Sequence, residues 1–444
     1  MSTLDGSIVN ISLPTIVRSL NTDLTAVAWV VMAYLIVITG CLLLTGRLSD
    51  LFGQKRIFLL GFLTFTLGSA FCGFSPTIYF LIGSRMLQGL GASALMANGS
   101  AILTTAYPEE ERGKALGMLG SVISAGFLIG PILGGFLVEH LGWRSIFFIN
   151  LPIGAMGIYL SSKVLENDLS ADKARLDFLG GLLIFLFLAS LLLFLDRMAE
   201  EPGPYLWVWL LILLLCLGFF VLVELRSPFP LVDLKLFRRR LFVSSLGASF
   251  LAFWMGAAHT FVMPFFLQDI LEFSPAKAGL FIFPVGLTVM AAAPLGGRFS
   301  DRVGVRIPAT IGLTLTALTV FSFTLLKPTA NALDILWRQI VLGLGIGLFN
   351  PANNSAIIGS LPREKVGLAS SFLALSRNLG MVIGVAFAGM VIRFSLPVSP
   401  EAGTKAAPSL VSIQNVWKLV LITGIAAIVV SWERKNKPDR SGAA

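Results

Sequence analysis

The sequence predicts an all-α, multi-pass membrane protein of about fourteen helices, the first one short, arranged as two six-helix bundles with two further helices inserted between them. Three observations predict this. Hydrophobic residues make up 56% of the 444 and charged residues only 13%, at a mean hydropathy of +0.86. A soluble domain carries about 25% charged residues, so too little polar surface remains here to cover a water-soluble body. Apolar runs close to the roughly 20 residues that cross a bilayer recur along the chain. A polar motif of the first half also returns, in order, in the second.

Taken in order, full-length apolar spans fall near 25–45, 57–74, 78–103, 114–138 and 145–162. Leu4 to Leu20 precedes them as a shorter, weaker first helix, which completes a bundle over residues 1–162. Two nearly uniform apolar spans follow near 178–195 and 205–223; with their flanking loops they form a lipid-facing linker over 163–240. Six more lie near 241–267, 276–296, 308–326, 333–356, 368–392 and 411–432, a second bundle over 241–432 with a tail at 433–444.

The formal charge is +9. Lys and Arg gather in the loops that follow even-numbered helices and in the tail, as the positive-inside rule requires when both chain ends are cytoplasmic. The charge therefore reports topology in a cytoplasmic membrane, and Arg238, Arg239 and Arg240 read as a juxtamembrane anchor rather than a nucleic-acid patch. Enzymatic readings find no support. There is no phosphate-binding Gly-x-x-x-x-Gly-Lys loop, and no nucleophile and base stand together in a motif. Only two histidines occur, His140 and His259, and Cys41, Cys72 and Cys216 sit apart inside apolar runs. No metal site and no cofactor are expected. The first residues, Met1 to Ser7, do not read as a signal peptide.

The repeated motif is Gly46-Arg47-Leu48-Ser49-Asp50-Leu51-Phe52-Gly53, which returns as Gly297-Arg298-Phe299-Ser300-Asp301-Arg302-Val303-Gly304. Gly89 and Gly91 return 254 positions later as Gly343 and Gly345, Pro108, Glu110 and Gly113 as Pro362, Glu364 and Gly367, and Gly126 and Gly130 as Gly380 and Gly384. Parallel repeats of this kind are a transporter architecture whose substrate site lies near the midplane. In the loop from Gly46 to Arg56, Gly46 and Gly53 permit a tight reversal. Asp50 is placed to meet a helix N-terminus or a cation, and Lys55 and Arg56 to anchor at the headgroups. The repeat of this skeleton at Gly297, Asp301 and Gly304 predicts a conformational latch.

Helix 4 opens with Arg85, followed by Gln88, Gly89 and Gly91 and later by Asn98. An arginine inside a span must face a cavity, a partner or the interface, and this polar stripe favours a functional role over snorkelling. Helix 5 carries Gly126, Gly130, Pro131, Gly134 and Gly135. Small residues four apart allow close helix approach, and Gly-Pro beside Gly-Gly predicts a hinge or sealing helix. Further cavity candidates are Asn10, Arg377, and the trio Asn350, Asn353 and Asn354 around Pro351, which is expected to break its helix. Trp29, Tyr34, Trp254 and Phe265 are candidates for stacking on aromatic substrates, and a lone His259 reads first as a hydrogen-bonded structural residue.

Gly46 to Arg56 resembles the loop signature of the major facilitator superfamily, and Gly130-Pro131-x-x-Gly134-Gly135 resembles its antiporter motif. Leu4 to Pro14 and Gly142 to Gly154, with Trp143, Arg144, Asn150 and Pro152, resemble signatures of its fourteen-helix drug:proton antiporter branch. The resemblance implies alternating access driven by proton re-entry, with no cofactor beyond the proton gradient. It implies Asp5 and Arg85 as the proton-coupling pair, Asp50 as a stabiliser of the outward-facing state, and the helix 5 glycines as a barrier to leakage. Partners are then small amphiphilic substrates, protons and lipid, handled by a monomer. An exporter dedicated to one endogenous metabolite, lipid or siderophore, or a truncated, inactive family member, is the alternative. Only Met1 to Leu4 precede Asp5, where family members carry a longer apolar series, so the sequence predicts Asp5 near a frayed, hydrated helix end. Relatives that expel organic cations carry extra acids in helices 10 and 13. Here 276–296 has neither Asp nor Glu, so neutral, zwitterionic or anionic amphiphiles are the expected cargo.

Overall fold

In hydrocarbon a backbone must satisfy its own hydrogen bonds, and the membrane-length segments among the described residues do so as helices. The computed structural model describes residues 1–108, 111–166, 178–200, 205–226, 234–361, 366–395 and 408–434. Pro362, Glu364 and Glu110 of the repeat lie outside the described residues. Among them run fifteen α-helices and no strand: α1 (Ser2–Ser19), α2 (Leu24–Phe52), α3 (Gln54–Phe74), α4 (Ile78–Ala106), α5 (Arg112–Leu141), α6 (Ser145–Phe148), α7 (Asn150–Val164), α8 (Phe178–Glu200), α9 (Tyr205–Arg226), α10 (Arg240–Phe265), α11 (Pro275–Val303), α12 (Arg306–Thr324), α13 (Ala332–Gly359), α14 (Val366–Phe394) and α15 (Leu410–Trp432). The one-turn α6 and α7 together fill the sixth predicted span, so the helices correspond to the fourteen expected. Eleven spans are long and apolar enough to cross a membrane by composition alone. Helices α1 and α4 are not among them, because they carry Asp5, Arg85, Gln88 and Asn98.

Helix starts are written locally. Asp23 accepts from the Ala26 N–H at 2.7 Å, Thr77 from that of Phe80 at 3.3 Å, and Asn331 with Asp334 closes a capping box. Gly53 and Gly304 take φ of 92° and 84° and are the pivots between α2 and α3 and near the end of α11. Gly46 and Gly297, expected to help reverse the chain, instead lie inside α2 and α11. The intervening Arg-Leu-Ser-Asp residues tolerate helix, so one glycine makes each turn.

The chain forms two compact units. The first comprises Met1–Asp233 with Phe261–Leu280 and Val385–Ser412, and the second Leu234–Thr260, Phe281–Gly384 and Ile413–Ala444. In the first, α3 and α4 cross at glycines: a Cβ on Gly91 would stand 2.3 Å from the Phe65 nitrogen and 2.7 Å from the Gly61 oxygen. In the second, α12 and α13 cross in the same way, with a Cβ on Gly312 meeting the Gly345 oxygen at 2.6 Å. The pair Gly61 and Gly312 lies three positions closer in sequence than the pair Gly91 and Gly345, because the connection before α13 is longer than that before α4. Helix α8 packs Phe185 over Gly40 of α2, while α9 exposes Trp207, Leu211, Leu214 and Phe219.

Backbone atoms cannot step aside for a new side chain. Gly91→Val is therefore expected to cost at least the roughly 1–3 kcal/mol typical of overpacking. It should appear as a lower melting temperature of the purified protein, whereas Gly83→Ala, whose Cβ meets nothing within 4 Å, should leave it within about a degree.

Candidate functional site

Asp5 lies in the first turn of α1 and is 1% exposed, so the hydrated, frayed end expected from the sequence is not what forms. Residues from two other helices bind it directly, and two more helices hold those residues in place. Arg85 of α4 donates from Nη1 to Oδ2 at 2.6 Å, and Oδ1 accepts from Gln88 Nε2 and Asn150 Nδ2, both at 2.9 Å. Gln88 also donates to Ser69 Oγ of α3 at 2.7 Å, and its Oε1 accepts from Arg85. The Arg85 Nε reaches the Val30 carbonyl at 3.1 Å, and its guanidinium lies 3.9 Å over the Tyr34 ring. Arg85 is 1% exposed and therefore does not snorkel.

Chemically this is a buried carboxylate with three side-chain donors and one counter-charge. Breaking such a pair leaves an uncompensated buried charge. A proton on Asp5 would turn an acceptor into a donor, disrupt the contacts of Oδ1 or Oδ2 and leave the site with a net charge of +1. Asn150 is the residue that sequence reasoning missed: it sits inside a quoted signature, at the start of α7, with no role attached. Tyr34, weighed as a substrate stacker, instead lies beneath Arg85.

The glycines of α5 form the adjoining wall. A Cβ on Gly126 would meet Leu4 at 3.5 Å, one on Gly130 would meet Ser7 Oγ at 1.8 Å, and one on Gly134 would meet Ile11 at 2.8 Å, so α1 lies directly in their stripe. Gly135 and Pro131 face the other way: a Cβ on Gly135 would stand 2.3 Å from the Pro275 oxygen, and one on Gly279 2.2 Å from the Pro131 oxygen. This seam within the first unit is fastened by polar contacts. Glu139 Oε2 accepts the Ala276 N–H at 2.9 Å, Gln268 Nε2 donates to the Ile11 carbonyl at 2.8 Å, and Arg18 pairs with Asp269. Helix α5 runs unbroken through Pro131.

The other predicted residues are dispersed. Asp50 and Asp301 are exposed near the ends of α2 and α11, Arg56 is exposed, and Lys55 donates to the Leu165 carbonyl. Asn10 and Asn98 bond their own helices, to the carbonyls of Gly6 and Ala94. Helix α13 continues through Pro351 without the predicted break. Of its amides Asn353 is buried and accepts from Arg434 at 2.6 Å, while Asn350 and Asn354 are half-buried. Burial lowers the Arg434 guanidinium to about 10. Arg377 is half-buried beside the Phe253 ring, 4.8 Å from its centroid.

Comparison with known proteins gives the family context. The Major Facilitator Superfamily profile matches residues 1–385. A riboflavin transporter, RibZ of Clostridioides difficile, is 34% identical over 442 residues, covering 99% of this chain and 96% of its own. The multidrug resistance protein Stp of Mycobacterium tuberculosis is 32% identical over 406 residues, covering 90% of this chain and 74% of its own. The multidrug export protein EmrB of Haemophilus influenzae is 30% identical over 389, covering 86% and 76%. Among solved structures, an auto-inhibited peptide transporter of the POT family aligns with a TM-score of 0.69 at 16% identity, covering 100% of this chain and 97% of its own.

Proposed function

The chain belongs to the major facilitator superfamily, and from that premise we propose that it is a proton-coupled exporter of small amphiphilic compounds, neutral or zwitterionic rather than cationic. The fold and the family make it a multi-pass membrane transporter. The observation that carries the proton-coupled reading is the buried Asp5–Arg85 pair, with Gln88 and Asn150 on the same carboxylate. In this reading Asp5 exchanges its proton as the conformation alternates. Gly46, Asp50, Gly53, Lys55 and Arg56, with Gly297, Asp301 and Gly304, serve as latches, and Gly126 to Gly135 seal against leakage. Both termini are cytoplasmic, in the cytoplasmic membrane, and the working unit is a monomer of two bundles, 1–162 and 241–432.

The absence of Asp and Glu from 276–296 supports an uncharged cargo: a cation desolvated there would find no carboxylate in that segment. Likeness to a riboflavin transporter over nearly the whole chain favours a second reading, a carrier dedicated to one metabolite. Everted vesicles energised to a pH gradient separate the two. Riboflavin and several neutral and zwitterionic drugs are expected to dissipate the gradient, and ethidium is not. A response to riboflavin alone selects the dedicated carrier. A response confined to lipophilic cations defeats the charge assignment, and substrate movement that ignores the gradient defeats proton coupling.

A further inference from the structure

We infer that His259 and Gln339 form a second proton-binding site, in the second compact unit. Its use in transport rests on the proton-coupled reading above; its existence does not. Gln339 is the repeat counterpart of Arg85, 254 positions on, by the register that relates Gly89 and Gly91 to Gly343 and Gly345. His259 lies on α10, the helix that repeats α1. The two are matched by Pro14 with Pro264 and by the positive-φ turns at Asn21 and Glu272. In that register Met255 answers to Asp5, and His259 falls one helical turn further on, on the same face.

Both side chains are buried, at 5% and 0% exposed, and His259 has Gln339 as its polar neighbour. Gln339 is the polar group at the imidazole, and among the described residues no other side chain or backbone group satisfies either ring nitrogen or either amide atom. A poorly satisfied buried polar group is destabilising, and packing alone would be served better by a leucine. The rest of the surround is aromatic: Phe323 of α12 lies 4.7 Å from the imidazole, centroid to centroid, and Trp417 of α15 lies 6.4 Å away. The nearest charge in sequence, Arg338, is committed to Ser322 and to the Asp334 carbonyl. Among the described residues no carboxylate of α10, α12, α13 or α15 acts on the imidazole.

Among the groups that line this pocket, the imidazole is the one that can take up a proton. Aromatic faces offer a weak attraction to the charged ring, and a carboxamide serves either form, donating to the bare nitrogen or accepting from the new N–H after a flip. The charge arithmetic matches the first unit. Asp5 with Arg85 passes from neutral to +1 on protonation, and so does His259 with Gln339. One half holds an acid with a fixed cation, the other a base with an amide.

The sequence holds only two histidines, so protein labelled with 13C-histidine in lipid nanodiscs gives two resonances, assigned with His140→Gln at an exposed position. The His259 resonance is expected to titrate between about pH 3 and 9, a range that brackets the ordinary histidine value. A resonance that stays fixed across the range overturns the site. With riboflavin as the transport probe, His259→Gln should lower the protons moved per substrate about twofold; an unchanged ratio removes the site from the cycle. If His259 titrates while Asp5→Asn leaves transport intact, the coupling assigned to Asp5 fails and this site stands.

Discussion

Arg85→Ala is expected to reduce pH-gradient-driven transport in vesicles by more than about a hundredfold and to lower the melting temperature of the purified protein. The substitution strands Asp5, 1% exposed, with two amide donors and no counter-charge. Removing one partner of a buried pair costs about 3–5 kcal/mol. If Asp5 escapes that cost by holding a proton permanently, it can no longer exchange one, so coupling is lost by either route. The double variant Asp5→Asn with Arg85→Gln removes both charges and leaves amides able to bond each other and Asn150. It is expected to regain most of the lost stability without any of the transport. Activity above half of wild type in Arg85→Ala, with an unchanged melting temperature, would show that the pair does neither job.

The second large effect is expected at the seam between α5 and the start of α11. A methyl on Gly135 would stand 2.3 Å from the Pro275 oxygen and 3.0 Å from the Ala276 Cα. Both are backbone atoms, and the same segment is tied to α5 by Glu139 through the Ala276 N–H. Gly135→Ala must therefore push the segment away rather than repack a side chain. We expect at least a tenfold loss of transport at near-normal expression, together with a faster passive proton leak in the same vesicles. Gly120→Ala, where the added methyl meets nothing within 4 Å, is the silent control on the same helix.

Much of this molecule is legible in its sequence, and the illegible parts have physical reasons. Apolar runs gave the helices because the bilayer leaves the backbone no alternative. The glycines of α5 could be recognised as a close-approach stripe, but which of them meet α1 and which meet Pro275 depends on the helical phase of Gly134 and Gly135. The sequence places Asp5 near water because its neighbours in sequence are few. Its neighbours in space, Arg85, Gln88 and Asn150, come from 80 to 145 positions away. Pro351 was expected to break α13 but is absorbed, as prolines in membrane helices often are when neighbours satisfy the freed carbonyl. His259 was read as hydrogen-bonded, and only the fold reveals that its polar neighbour is the residue standing where the other half has Arg85.

Between α10 and α11 the chain passes through one wide turn, Phe266–Ile270, where the Leu271 N–H reaches back to the Phe266 carbonyl. Its origin is readable from the repeat: Asn21 lies seven residues after Pro14, but Glu272 lies eight after Pro264. A single inserted residue in a regular helix would turn everything upstream by about 100° and re-aim His259 and the whole buried face of α10. The five-residue bond swallows that extra residue locally, as such bulges do. The wide turn thus absorbs a one-residue difference in length between the two repeats without turning the packed face of α10 upstream of it.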